Sequence, residues 1–402
     1  MTGILEGVNV IDMGHFVAIP SAAAVLADWG AEVIKVEPLT GEPQRGVRAL
    51  GALTFNGGQL SWRAELHNRN KKGLAVDLKK ASGRDILYQL VKRSDVFMSN
   101  YEVSSLKRLK LDYASLRRVN PKIIYAILTA FGRVGPDKDE RGFDFIASWA
   151  RSGVQYLLGE EGRPPPMQRP GFMDRVAGMH VVAGIAAALL YREKTGRGQE
   201  LEFSLYHSAV WSLAADVQAT LLGIKVPKHE HSKAINPLVN TYCTKDGQWL
   251  QLAMLQSDLQ WAGFCRAIDR PKLENDPKFN NIEVREQNNE ELVSILDDVF
   301  ISENMDLWEK RLREHGCIYG RVRTLEDVAT DEQALANGLF TEIEHPLAGK
   351  MKLVATPVKF CQNPASIRTA APEVGQHTEE ILLDLGYSWD DLTRLKEEKV
   401  IL

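Results

Sequence analysis

Cysteine is scarce in this chain, four residues in 402. They stand at Cys243, Cys265, Cys317 and Cys361, with no Cys-x-x-Cys pair and no histidine at metal-ligand spacing. That argues against a disulfide scaffold or a zinc ribbon, and for free thiols in a reducing compartment. Neither charge sign is in excess: 49 Lys and Arg against 53 Asp and Glu leave a formal net charge of -4. Nothing there points to nucleic acid or an anionic membrane, and an anionic ligand would need a local basic site. No run of about eighteen apolar residues occurs, so no membrane span is expected. The opening Met1-Thr2-Gly3-Ile4-Leu5-Glu6 lacks the basic and apolar regions of a secretory signal, and a cytoplasmic location is expected. A Walker loop, His-Glu-x-x-His and Gly-x-Ser-x-Gly are all missing. After the first strand the chain reads Met13-Gly14-His15-Phe16-Val17-Ala18 in place of Gly-x-Gly-x-x-Gly, which argues against a dinucleotide site.

What is present fits a globular chain, 44% hydrophobic and 25% charged, long enough for a large domain and a smaller one. The first half alternates strand-like and helix-like segments. Val8–Met13, Glu32–Glu37, Leu74–Leu78, Asp95–Met98 and Ile123–Leu128 read as buried strands. Pro20 opens a helix-like run that Gly30 ends, and a second helix is expected over Ser82–Arg93. This spacing implies parallel pairing and a doubly wound α/β sheet. A stiff Pro-rich segment at 162–171 precedes an apolar helix over Val176–Leu190, then a turn at Thr195-Gly196-Arg197-Gly198, a strand near Glu202–Ser204 and a helix over His207–Leu222. A hairpin turning at Asp246-Gly247 is expected over Tyr242–Met254. Helices should follow near 256–268, 290–301 and 305–315, with an extended segment near 350–360. Thr378 and Ser388 read as helix starts in the tail. The boundaries expected are 1–224 for the large domain, 225–330 for a small α+β domain, and 331–402 for a segment returning to the large one.

Several stretches, in this order and spacing, resemble the family III CoA-transferases, the formyl-CoA-transferase type. They are Leu5-Glu6-Gly7-Val8-Asn9-Val10-Ile11-Asp12, the run from Leu26 to Glu37, Asn68-Arg69-Asn70-Lys71-Lys72-Gly73, Phe131-Gly132-Arg133-Val134-Gly135-Pro136, Gly142-Phe143-Asp144, Asp174, Thr195-Gly196-Arg197-Gly198-Gln199, and Val374-Gly375-Gln376-His377-Thr378. The resemblance implies a Rossmann-like large domain built from both chain ends, a smaller domain between them, and two protomers interlocked as rings. It implies an acyl-CoA and a carboxylic acid as substrates, with coenzyme A thioester as substrate and no prosthetic group. Assembly would be a homodimer or a heteromer with a related subunit.

The resemblance places the family's nucleophilic aspartate at Asp174. A carboxylate can attack a thioester and divide one difficult exchange into easier steps. The resemblance implies a mixed anhydride, then an aspartyl-CoA thioester, then attack by the acceptor acid. Asp174 precedes an apolar helix whose positive end would favour its ionised form, or it caps that helix, and the two roles can coexist. Gly171, Ala177 and Gly178 are expected to leave room for a thioester. By the same resemblance, His15, Lys71, Lys72, Arg108 and Arg141 are candidate CoA contacts. Gly132 and Gly135 are expected to allow a turn. The racemase branch has a histidine where this chain has Phe143, which cannot act as a base; transferase is therefore favoured over an α-methylacyl-CoA racemase. A supporting subunit of a heteromeric enzyme is a further alternative. Ile19 stands where the family has glycine, and Ala234–Val239 has no glycine where the formyl-CoA enzymes have a glycine-rich loop. Formate and oxalate are therefore not expected. Ile19, Phe16, Trp62 and Leu238 point to a larger, partly apolar acid, with Arg48 or Arg63 to pair a second carboxylate. Aryl- or alkyl-substituted succinates with succinyl-CoA as donor would suit such a pocket.

Overall fold

The computed structural model describes residues 3–46 and 61–402; Arg48 lies outside them. The chain divides into two compact units. One comprises Met1–Gln155, Met167–Ile224 and Leu335–Leu402, the other Tyr156–Pro166 and Lys225–Ala334. The short stretch 156–166, which the sequence reading kept in the large domain, falls in the second unit.

The first unit is built on six strands: β1 (Asn9–Met13), β2 (Glu32–Glu37), β3 (Lys71–Ala75), β4 (Val96–Ser99), β5 (Ile124–Thr129) and β6 (Glu200–Ser204). They hydrogen-bond in the order β3-β2-β1-β4-β5-β6, and every pair is parallel. This is the Rossmann-like order, with helices required on both faces because each connection must cross over. Alternation along the strands feeds two separate cores. Val10, Val96 and Met98 pack on one face with helix α1 (Ala18–Asp28) and the long helix Phe172–Thr195. Ile11, Met13 and Phe97 pack on the other with the helix Ala81–Arg93 and the tail helices Thr378–Asp384 and Trp389–Glu397. Both chain ends therefore complete one unit. The tail helix at Trp389 starts on the expected capping box, Ser388 with Asp391.

The long helix departs from expectation at both ends, running from Phe172 to Thr195. It is long and apolar enough to cross a membrane by length and composition alone. In this unit, however, it packs on α1 through Ala177, Gly178, Val181 and Ile185. The third strand begins at Lys71, three residues before the apolar run that suggested it, because a lysine neutralised by a buried aspartate can occupy a strand interior.

The second unit has a three-stranded antiparallel sheet, β7 (Thr241–Cys243), β8 (Trp249–Leu252) and β9 (Tyr319–Arg321). Helices Ser257–Ala267, Asn289–Phe300 and Met305–Glu314 surround a core centred on Tyr242, Phe264, Phe300 and Trp308.

Candidate active site

In the order β3-β2-β1-β4-β5-β6 the strands are added outward in opposite senses from β1 and from β4. The loops leaving those two strands diverge, and open α/β sheets take ligands in the resulting crevice. Here the two loops are tied together: the His15 backbone N–H donates to Asn100 Oδ1 at 2.9 Å, and Asn100 Nδ2 donates to the His15 carbonyl at 2.9 Å. The next residue, Phe16, is held at a left-handed φ of 62°, its N–H donating to Glu42 Oε2 at 2.9 Å. The Phe16 ring meets Phe143 edge-on, with centroids 5.1 Å apart. Val17 lies against Gly171, where an added Cβ would stand 3.2 Å from both Val17 methyls. Gly171 also has φ 74°, so only glycine fits there without strain. As Gly171 is the N-cap of the long helix, Asp174 falls in its first turn and is brought beside the β1 loop.

Asp174 is half-buried, and among the described residues its carboxylate accepts no hydrogen bond. Its pKa is pushed up to about 7, by burial first and the neighbouring Asp144 second, against the pull of Arg175. This reverses the expectation that the helix N-terminus would hold it ionised. The dipole contributes about 0.3–1 kcal/mol, under one pKa unit, which burial and a like charge together outweigh. Nor does Asp174 cap the helix, since it sits three residues inside the cap.

Asp144 opens a π-helical turn, Asp144–Ala150, a distortion common at functional sites. It is 3% exposed, and among the described residues neither oxygen receives a well-formed hydrogen bond. The Ser148 hydroxyl, the Trp149 indole and the Met173 and Gly171 amides lie close enough to hold its pKa down in part, but burial still raises it. Two carboxyl groups thus share one poorly solvated corner. Facing them, Arg175 donates through Nη1 to the Gly171 carbonyl at 2.8 Å, and its Nη2 lies 3.2 Å from His67 Nε2. Asp144, Arg175 and His67 were given no role on sequence grounds. The signals available were the place of Asp144 in the Gly142-Phe143-Asp144 motif and of Arg175 next to Asp174; His67 had none.

The predicted CoA contacts scatter. His15 stands in the crevice loop, its ring between Phe16 and Tyr101 with centroids 5.1 and 5.0 Å away. Burial lowers its pKa. Arg141, with its side chain 87% exposed, pairs with Glu102 at 2.9 Å just beyond β4. Arg108 is exposed nearby, against Ser105 at 3.1 Å. Lys71 is different: its ammonium is buried and donates to Asp12 Oδ2 (2.7 Å), the Pro20 carbonyl (2.9 Å) and Asn68 Oδ1 (3.0 Å). All three of its N–H donors are used, leaving none for a phosphate. Lys72, the next residue of the strand, points to the opposite face of the sheet and bridges Glu32 (3.1 Å) and Glu380 (2.9 Å). With Arg69 on Asp28 at 2.8 Å and Asn70 on Asp28 at 2.7 Å, the Asn68–Lys72 motif chiefly staples β3 to α1 and β1.

Other expectations need correcting. Ala177 and Gly178 are buried, and a Cβ at Gly178 would come within 2.6 Å of Ser21 Oγ; they serve close helix packing and leave no thioester space. Ile19 is fully buried against Gly14, so it lines no acyl pocket, and Leu238 is fully buried in the core of the second unit. Phe16 and Trp62 are half-buried. Gly132 (φ 104°) and Gly135 (φ 93°) do form the expected turn. Among the described residues, no cluster of His, Cys, Asp and Glu could hold a metal ion.

The model of CoA-transferase family III matches residues 5–378. The (R)-2-hydroxy-4-methylpentanoate CoA-transferase of Clostridioides difficile is 35% identical over 99% of both chains. The cinnamoyl-CoA:phenyllactate CoA-transferase of Clostridium sporogenes is 32% identical, covering 100% of this chain and 98% of its own. The human succinyl-CoA:glutarate CoA-transferase is 32% identical over 95% of this chain and 86% of its own. Among solved structures, a CaiB/BaiF family protein from Brucella suis superposes with TM-score 0.84 at 27% identity, covering 96% of this chain and 100% of that one. A crevice at the reversal of a Rossmann-like sheet, an aspartate in it, and a match over nearly the full length agree: this chain belongs to CoA-transferase family III.

Proposed function

We propose that the chain moves CoA from an acyl-CoA to a carboxylic acid through Asp174. The observation that carries this is the Asp174 carboxylate itself, half-buried, without a hydrogen-bond partner among the described residues, at the start of a helix beside the crevice loop. A carboxylate held for structure would be paired; this one is left free to react. In the proposed sequence Asp174 attacks the thioester carbonyl, the C–S bond breaks, and CoA leaves as thiolate. The thiolate then attacks the Asp174 carbonyl of the mixed anhydride, expelling the donor acid as carboxylate. The acceptor carboxylate attacks the aspartyl-CoA thioester, freeing the thiolate again. That thiolate takes the acceptor acyl group and regenerates the Asp174 carboxylate. Each step exchanges one acyl bond, so no oxidant or metal enters the balance.

Two aromatic pairs flank the position, Phe16–Phe143 and Trp149–Phe172 at 5.7 Å, and Phe143 and Phe172 are 59% and 57% exposed. They favour an acid with an apolar or aromatic body, such as the 2-hydroxy acids in two relatives' names, over formate or oxalate. A succinyl donor remains within this reading through Arg63. Phe143 supplies no base, so the racemase alternative gains nothing. His15, Arg108 and Arg141, around the carboxyl ends of β1 and β4, are the proposed CoA contacts. We further propose a homodimer of the interlocked kind.

The test is chemical. Wild-type protein incubated with acyl-CoA and quenched should carry a hydroxylamine-sensitive mass on the peptide containing Asp174. Asp174→Ala should fold and lose CoA exchange altogether. Exchange surviving in that variant would remove the assignment.

A further inference from the structure

Arg175 is exposed as a residue, yet its guanidinium is fixed at two points. Nη1 donates to the Gly171 carbonyl at 2.8 Å, and Nη2 meets His67 Nε2 at 3.2 Å. An arginine can only donate, so Nε2 must accept, and the His67 proton must sit on Nδ1. His67 is 1% exposed and its Nδ1 finds no partner among the described residues. The ring is therefore locked neutral by geometry, and burial with four nearby cations depresses its pKa well below the usual value. An orphaned buried imidazole N–H is costly. Its one evident service is to aim Arg175.

What the guanidinium is aimed at follows from its surroundings. Asp174 is close enough to feel its charge, but no ion pair closes between them among the described residues. Arg63 lies near enough to repel it, and Arg169 repels Arg63 in turn. Neither Arg63 nor Arg169 is paired with a carboxylate among the described residues; Arg63 instead covers the Trp62 ring at 4.6 Å. Three like charges at the mouth of a site call for an anion. The reaction supplies one at each end: an acid must enter as a carboxylate beside a nucleophile that is itself anionic, and another must leave. An entering carboxylate would otherwise meet both Asp174 and Asp144 unscreened.

We propose that Arg175 is the residue that docks the carboxylate of the exchanging acid against Asp174, and that His67 is a positioning residue that holds the guanidinium for it. The inference rests on the Asp174 reading for the identity of the anion. Arg63 and Arg169 then draw that anion inward, and the ligand class is a monocarboxylate at its reacting end.

Initial rates with acyl-CoA and acid varied independently test it. Arg175→Gln should raise KM for the acid about 10- to 100-fold, leave KM for acyl-CoA within about twofold, and still accumulate the aspartyl thioester from acyl-CoA alone. His67→Leu should shift KM for the acid in the same direction by about 3- to 10-fold. His67→Gln returns an acceptor near the Nε2 position and should restore most of the loss. A purely structural His67 would make Gln no better than Leu. Should His67→Leu fail to fold, Arg175→Gln at its exposed position still decides the matter. An equal rise in KM for acyl-CoA, or an unchanged KM for the acid in Arg175→Gln, overturns the proposal. Absence of the thioester in the wild-type protein would overturn the Asp174 reading, while the KM for the acid would still report on Arg175.

Discussion

Asp174 is most useful to the proposed reaction when ionised, and its surroundings resist that. With its pKa near 7, the first acyl transfer should quicken as pH rises through about 7, following one ionisation. Asp144→Asn removes the like charge and should move that midpoint down; a midpoint that stays put would mean the two carboxyls do not interact. The same shift carries a stability consequence. A carboxyl with a raised folded pKa holds its proton longer when folded than when unfolded, so stability falls as pH rises from about 4 to about 7 and stays lower above. Asp174→Asn should therefore stabilise the protein at pH 8, by about 1–2 kcal/mol after allowance for its half-exposure. In urea unfolding the gap to wild type should shrink toward pH 4, and a constant gap would contradict the linkage. The adjacent lysines Lys71 and Lys72 differ in what their loss costs. Lys71→Met strands Asp12 in the core, with Lys35 at 3.7 Å as its remaining ion-pair partner, and should cost about 3–5 kcal/mol. Lys72→Met loses only partly exposed pairs and should cost under about 1 kcal/mol. If Lys71→Met kept full stability but weakened acyl-CoA binding, the staple would be the wrong reading of that motif.

Among the elements, the contact of the long helix with α1 sets where Asp174 stands. At Gly178 the two backbones come close, with the Ala18 carbonyl 3.0 Å from an added Cβ. Gly178→Val should push the helices apart, at about 1–3 kcal/mol in urea unfolding, and should slow CoA exchange more than that loss explains, because Asp174 lies one turn away. Exchange falling only in step with the unfolded fraction would show that the site tolerates the shift. Strands were readable where burial on both faces makes them apolar runs, as at Ile124–Thr129; Glu32–Glu37, with Val and Ile between charged residues, was placed to the residue. The hairpin turn was readable for another local reason, a glycine at φ 73° after Asp246. The π-helical turn at Asp144 was not readable, since an i→i+5 turn leaves no periodicity of its own. Nor was the hydrogen bond of His67 to Arg175, which joins residues 108 apart in the chain. Asp174 could be named from resemblance, but its pKa depends on neighbours that only folding assembles.

For the whole molecule, the first unit leaves apolar surface that the chain's described residues do not cover. The helix Ala214–Leu221 has no buried residue, and Trp211, Leu221, Leu222 and Ile224 around it are 68%, 76%, 70% and 57% exposed. A helix with apolar residues and no buried face is stable only with something packed on it, and large exposed apolar residues gathered along one segment fit an association surface. A second copy is the cover that the proposed interlocked dimer would supply. The purified protein should then run at twice 44.9 kDa in light scattering down to micromolar concentration. Trp211→Asp paired with Leu222→Asp should lower folded yield rather than release a stable monomer, because interlocked rings have no well-covered monomeric state. A wild-type protein that is monomeric and unfolds in one cooperative step at the same temperature over a hundredfold range of concentration would leave this helix without a partner copy and end the dimer proposal.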